Sequence, residues 1–197
     1  MIKKTTEEYK SLDLEFLSIE RQEKLFKEFS SVLPFNSYAR KNMGHLYAIK
    51  NKASIIQETD DDNIPYNSFW KLPSEPMLLL NSDNKWINVY SLFSKEKIWP
   101  RGFPLNEINA DNNYSFEKTK TNTLIFQGLA DKNPDVDAIY RLTGALPIKF
   151  DKVKSFSLKA GNWSPFNSQN TIFKKEAFPL IYLPATCSFR MTDIWRS

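Results

Sequence analysis

Apolar positions recur along the chain in short, interrupted patterns. Leu14–Ser18 (LEFLS) reads as a strand. Ile19–Val32 then places Leu25, Phe26, Phe29 and Val32 among charged residues at the spacing of an amphipathic helix, which Pro34 and Asn36 end. A second helix is predicted over Ser37–Asn51, with Ser37 as its N-cap and Ala39, Met43, Leu46 and Tyr47 on one face. Residues 52–58 contain the strand ASIIQ, which runs into Thr59-Asp60-Asp61-Asp62-Asn63 and then Pro65. Further strands are predicted at Leu78–Leu80, Trp86–Tyr90, Leu124–Gly128, Ile148–Phe150, Phe156–Leu158 and Leu180–Leu183. Ala138–Leu142 fits a short helix or strand, Phe173–Phe178 a brief helix, and Met191–Ser197 the start of a helix. Strand, helix, strand and acidic loop together predict an α/β fold with a mixed, partly parallel sheet flanked by helices.

At 197 residues the chain fits one domain, 1–197. Hydrophobic residues at 41% and aromatics at 14% support a packed core. No apolar run reaches the length of a membrane span, and the polar start MIKKTTEEYK lacks the apolar segment of a signal peptide, so the chain as given is expected to be soluble. The net charge of +4 is mild and scattered, which suits an anionic small molecule better than nucleic acid. Two N-x-S sequons occur, at Asn113 and Asn162, the second followed by Pro165.

The scarce residues narrow the chemistry. One cysteine, Cys187, permits neither an intrachain disulfide nor a cysteine zinc cage. One histidine, His45, leaves no His-rich metal site. Catalysis or metal binding must therefore run on carboxylates with Arg and Lys as partners, and carboxylates select hard cations such as Mg²⁺ or Mn²⁺. Asp60-Asp61-Asp62 is the sharpest such signal. Three adjacent carboxylates repel one another and are tolerated in solvent or beside a cation, and these directly follow an apolar strand, where ligands of open α/β sheets bind. On the triplet alone a solvated turn is the simpler account, since Asp and Asn favour turns. An EF-hand is excluded by the spacing.

Ser37-Tyr-Ala-Arg-Lys-Asn-Met-Gly-His leads through ASII into that triplet. The arrangement resembles GT-A fold glycosyltransferases, in which an Ala-Arg-Asn-x-Gly-type helix precedes a strand and a DxD-type motif. Trp99-Pro-Arg-Gly-Phe-Pro-Leu105, Pro134-Asp-Val-Asp-Ala138, Phe166-Asn-Ser-Gln-Asn-Thr171 and Thr192-Asp-Ile-Trp-Arg-Ser197 follow in order. With Pro34-Phe-Asn-Ser-Tyr-Ala-Arg-Lys-Asn42 they resemble the STELLO-type glycosyltransferases from about Leu14 to the end. A looser resemblance is to the reversibly glycosylated polypeptides, which act as UDP-arabinopyranose mutases.

The resemblance implies a GT-A-like fold that transfers sugar from a nucleoside diphosphate donor, UDP-linked, to a glycan, lipid or protein acceptor, with Mn²⁺ or Mg²⁺. It makes Asp60 and Asp62 candidates for the metal or donor phosphates and sets Asp61 near the donor sugar or ribose. Arg40, Lys41 and Asn42 fall near the donor nucleotide. It also makes Asp193 a candidate acceptor base, with capping of the following helix as the alternative. Arg101 is a candidate sugar carrier or ligand contact by the mutase likeness, or else a loop arginine bonded to carbonyls or an acidic neighbour. Asn167 and Gln169 are candidates for reading sugar hydroxyls, or members of a turn. Asp135 and Asp137 read as the start of a structural element, and His45 as a structural residue.

Lys3–Tyr9 resembles a segment that follows the first GT-A strand, so that strand is expected to be missing and the chain to be cut at both ends. A domain without the first strand can keep the fold and lose the donor, so a non-catalytic scaffold is the alternative function.

Overall fold

The computed structural model describes residues 14–111 and 113–197. The expected absence of a first strand ahead of Lys3–Tyr9 lies outside the described residues. The described residues are mixed α/β, with two three-stranded sheets and short helices.

Residues 14–18, predicted as a strand, are not part of either sheet. Their end is taken up by the helix that follows, since Gln22 donates to the Leu17 carbonyl at 2.7 Å and Ser18 caps the first turn. The helix predicted over Ile19–Val32 is two pieces, α1 (Ile19–Leu25) and α2 (Lys27–Val32), divided at Phe26, whose backbone leaves helical geometry (φ −141°, ψ 51°). Phe26, Phe29 and Leu33 pack with Ala39 and Met43. Ser37 caps a 3₁₀ turn, Tyr38–Lys41, by accepting from Ala39 N at 3.2 Å, and α3 (Asn42–Lys50) continues from it.

Strands β1 (Ile55–Thr59), β4 (Ile125–Gln127) and β6 (Asn170–Lys174) form one antiparallel sheet in the order β1-β6-β4. Strands β2 (Leu78–Ser82), β3 (Tyr114–Lys118) and β5 (Ser157–Leu158) form the other, in the order β3-β2-β5. Its β2–β5 pair is parallel and its β2–β3 pair antiparallel, so this is the mixed sheet. In the first sheet the β1–β6 register pairs Thr59 with Asn170. Because the strands are antiparallel, the end of β1 meets the start of β6, and Asp60–Asp62 emerge beside Asn167–Gln169.

Several apolar runs are not strands. Phe173–Phe178 divides between β6 and a 3₁₀ helix, Lys175–Leu180. Leu180–Leu183 alternates as a strand would, with Ile181 and Leu183 buried, but the Asn42 carboxamide takes the place of a neighbouring strand. It donates to the Leu183 carbonyl at 2.7 Å and accepts from Leu183 N at 3.0 Å. Trp86–Tyr90 makes a single bridge, Trp86 to Trp163, before Asn88 turns its amide to the Ile98 carbonyl and the chain coils through Val89–Leu92. Ile148–Phe150 likewise contributes one bridge, Lys132 to Ile148. Ala138–Thr143 is the helical alternative, α4, capped by Asp137, which accepts from Tyr140 N at 2.7 Å. Residues Met191–Ser197 form turns and a 3₁₀ segment, Ile194–Arg196.

One hydrophobic cluster is assembled mainly from loops. Tyr90, Ile98, Trp99, Phe103, Val136, Tyr140, Ile148 and Phe150 are buried together, which fixes the Pro-rich stretch between them. Pro100 bridges Val136, and the loop turns at Gly102 with φ +86°. A Cβ at Gly102 would lie 2.6 Å from Ile194 Cγ2, so glycine is required here both by backbone angle and by the close approach of the C-terminal turn.

Candidate functional site

The loop ends described above converge on a cavity of about 300 Å³. Asp60 and Asp62 reach it from the turn after β1, Arg101 and Asp135 from the bridged loops, Gln169 from the start of β6, and Asp193 from the C-terminal turn. Of the residues singled out in the sequence, Asp60, Asp62, Arg101, Gln169 and Asp193 are thus brought together. Arg40, Lys41, Asn42, Asp61 and Asn167 are not among the lining residues.

Arg101 is fully engaged. Its Nε donates to Asp135 Oδ1 at 2.8 Å and its Nη2 to Asp135 Oδ2 at 2.6 Å, while Nη2 also reaches Asp193 Oδ1 and Oδ2 at 3.0 and 2.9 Å. Nη1 donates to the Arg190 carbonyl. Burial disfavours the charge on Arg101, but the two carboxylates outweigh it and hold the guanidinium protonated. Both structural alternatives for these residues are therefore present, because Asp193 also caps the last turn through Ile194 N at 3.1 Å. It accepts from Ser168 N at 3.2 Å as well.

The acidic turn is held differently. Tyr38 Oη donates to Asp60 Oδ1 at 3.1 Å, and Lys41 Nζ stands 3.6 Å from the same oxygen while donating to the Thr59 carbonyl at 3.0 Å. Lys41 therefore supports the acidic turn from behind. Burial pushes the Asp60 carboxyl above its usual range. Lys41 and Tyr38 oppose this, and Asp62 and Asp193 add to it. Asp61 and Asp62 are exposed. Among the described residues no group of three or more His, Cys, Asp or Glu side chains is arranged to hold a metal ion. Asp60, paired with Lys41, and the exposed Asp62 are the acidic-turn carboxylates on the cavity, and a hard cation that keeps its other positions for phosphate oxygens and water, as Mg²⁺ commonly does, needs only one or two such ligands.

The nucleotide-side candidates are occupied elsewhere. Arg40 donates to Gln22 Oε1, the Leu33 carbonyl and Ser30 Oγ at 3.0, 2.9 and 2.8 Å, tying the 3₁₀ turn to α1 and α2. Asn42 is buried against Leu183, as described above. Asn167 is buried, and its Oδ1 accepts from Gln169 N at 2.9 Å, which makes it the start of the turn that aims Gln169 into the cavity.

The chain pattern did not disclose a buried polar network behind the site. Alternation along β1 turns Ile56 and Glu58 inward. Glu58 Oε2 accepts from Arg196 Nη2 at 2.9 Å, with both side chains 1% exposed, and Arg196 also donates to Ser168 Oγ at 2.6 Å. His45 Nε2 lies 2.6 Å from Glu58 Oε1, a close contact that is not aligned as a hydrogen bond. Burial raises the Glu58 pKa, but His45 and Arg196 more than offset it and leave the carboxyl at about 2. His45 is therefore structural, and it is absent from the cavity lining. Tyr38, Asn133, Asp135, Arg141, Phe189 and Arg190 also line the cavity and were not singled out for it. Asp135 read in the sequence as the start of a structural element, since its pairing with Arg101 depends on a bridge between distant loops.

No family model matches the chain. Two curated proteins of Arabidopsis thaliana are similar to it, "Probable glycosyltransferase STELLO1" at 30% identity and "Probable glycosyltransferase STELLO2" at 31%, each over 203 residues. The matches cover 92% of this chain and 26% of each relative, so the chain spans about a quarter of their length. Among the described residues no helix is long and apolar enough to cross a membrane. The WPRGFP loop, the acidic turn and the TDIWRS segment meet at one cavity, in a chain similar in sequence to about a quarter of two proteins named as probable glycosyltransferases.

Proposed function

We propose that the cavity binds a nucleoside diphosphate sugar, UDP-linked, in a GT-A-like domain, and that the domain transfers the sugar to an acceptor hydroxyl with Mn²⁺ or Mg²⁺. The carrying observation is that Asp60 and Asp62 share one cavity with Arg141 and Arg190, neither of which is ion-paired among the described residues. The likeness to proteins named as probable glycosyltransferases supports the same reading.

The difficult event in such a transfer is the build-up of negative charge on the departing diphosphate. Arg141 and Arg190 are placed to offset it, and Gln169 to bond a sugar hydroxyl. A divalent cation, when bound, supplies Lewis-acid neutralisation of the leaving group, and Asp60 and Asp62 are the residues that would hold it. Lys41 and Tyr38 keep Asp60 oriented toward the cavity.

Asp193 has both oxygens occupied by donors, so it meets the requirement for an acceptor base only once Arg101 shifts toward donor phosphate. Its role in the present geometry is to position Arg101. The mutase alternative requires a free guanidinium nitrogen on Arg101, and all three nitrogens already donate.

Calorimetric titration of UDP and UDP-sugars, with Mn²⁺ and with EDTA, tests the reading. Metal-dependent binding that disappears in Asp60→Asn or Asp62→Asn is expected. A folded, monodisperse sample that binds no nucleotide sugar would overturn it in favour of a non-catalytic scaffold.

A further inference from the structure

We infer that Phe189 is the stacking wall of the cavity, receiving the face of a ring, nucleobase or sugar, on the ligand whose charged end lies toward Asp60 and Asp62. The inference rests on the function proposed above. Every other lining side chain carries a charge, an amide or a phenol, so Phe189 is the one purely hydrocarbon group among the described lining residues. It is 71% exposed although it forms part of a concave wall.

Its ring contacts Tyr38 edge to face. The Phe189 ring stands nearly perpendicular to Tyr38, at 83° with centroids 6.2 Å apart, and Tyr38 in turn donates to Asp60. The chain Phe189–Tyr38–Asp60 therefore sets an apolar surface in register with the acidic end. A charged cavity alone would hold any polyanion with its counter-ion. One aromatic wall adds selection for a ligand that carries a ring beside its phosphates, because stacking is gained only when a ring is present.

The test compares Mn²⁺-dependent binding of pyrophosphate, UDP and UDP-glucose to the whole chain and to Phe189→Ala and Phe189→Trp. If the nucleobase stacks, Phe189→Ala binds UDP about tenfold more weakly and pyrophosphate unchanged. If the sugar stacks, UDP is unchanged and the loss appears only with UDP-glucose. Phe189→Trp retains affinity in either case, and melting temperatures stay within a degree or two because the side chain is largely exposed.

Equal weakening of pyrophosphate, or no change with any probe, overturns the stacking role while leaving the proposed function standing. Absence of binding by the unsubstituted chain to all three probes removes the proposed function and this inference with it.

Discussion

Arg101 Nη2 lies 3.0 and 2.9 Å from the two carboxylate oxygens of Asp193, 92 positions along the chain. The same nitrogen is 2.6 Å from Asp135 Oδ2, so one guanidinium joins three segments that have no sheet in common. The clamp gives the cavity a fixed rear wall.

Removing that guanidinium leaves two largely buried carboxylates facing each other. Arg101→Ala is expected to cost about 3–5 kcal/mol of stability in denaturant titration. Arg101→Lys should recover only part of it, because a single ammonium cannot make both a bidentate contact to Asp135 and a bond to Asp193. Full stability in Arg101→Lys would show that charge, rather than the fork, holds the segments.

Gly102→Ala tests the same junction through the backbone. The added Cβ meets Ile194 at a non-bonded distance that cannot be sustained, at a φ that disfavours any side chain. A destabilisation of roughly 2 kcal/mol or more is expected, together with a loss of donor binding as Asp193 moves. A variant of unchanged stability in thermal melting would contradict the close packing of the two turns.

The Glu58–Arg196 pair predicts acid sensitivity. The folded-state carboxyl sits at about 2, against an ordinary 4.5, so its stabilising contribution is complete above pH 4.5 and is lost as the pH falls toward 2. Glu58→Ala should cost about 3–5 kcal/mol near neutrality by stranding Arg196, and should flatten the pH dependence of unfolding below pH 4.5. Persistence of the full acid slope in the variant would assign it to other carboxylates.

Asp60 has the opposite sign. Its folded pKa is raised, so its contribution to stability falls as pH rises from the ordinary carboxylate range through the folded value. Cation or Mn²⁺–UDP binding would favour the ionised form, so affinity should rise with pH across that titration and protons should be released. Calorimetry in buffers of different ionisation enthalpy measures this directly, and proton uptake would exclude Asp60 from the site.

Arg40 and Lys41 separate scaffold from site. Arg40→Ala removes three hydrogen bonds to α1, α2 and the loop after them, and should lower stability by about 2–3 kcal/mol. Donor affinity in the folded fraction should be unchanged. Lys41→Ala should instead alter donor or metal affinity through Asp60 with little effect on melting. The reverse pattern would restore Arg40 as a nucleotide contact.

The sequence alone determined the α/β character, the cap at Ser37, the start of an element at Asp137, the strand leading into Asp60–Asp62, and the restriction to carboxylate chemistry. These rest on local periodicity, on residue types that satisfy nearby backbone groups, and on the simple scarcity of histidine and cysteine. The likeness carried by WPRGFP and TDIWRS was also legible.

Only the tertiary structure decided which polar side chains face ligand and which hold the fold. Arg40 and Asn42 read as site residues because charge and amide groups look the same on either duty, yet their donors are used by chain segments on which sequence spacing is silent. Glu58 read as the end of a strand, and became a buried ion partner only because Arg196 arrives from the far end of the chain. Arg101, Asp135 and Asp193 form one clamp because a loop bridge and a glycine turn bring distant segments within hydrogen-bond distance, and such distances arise from packing rather than from local pattern.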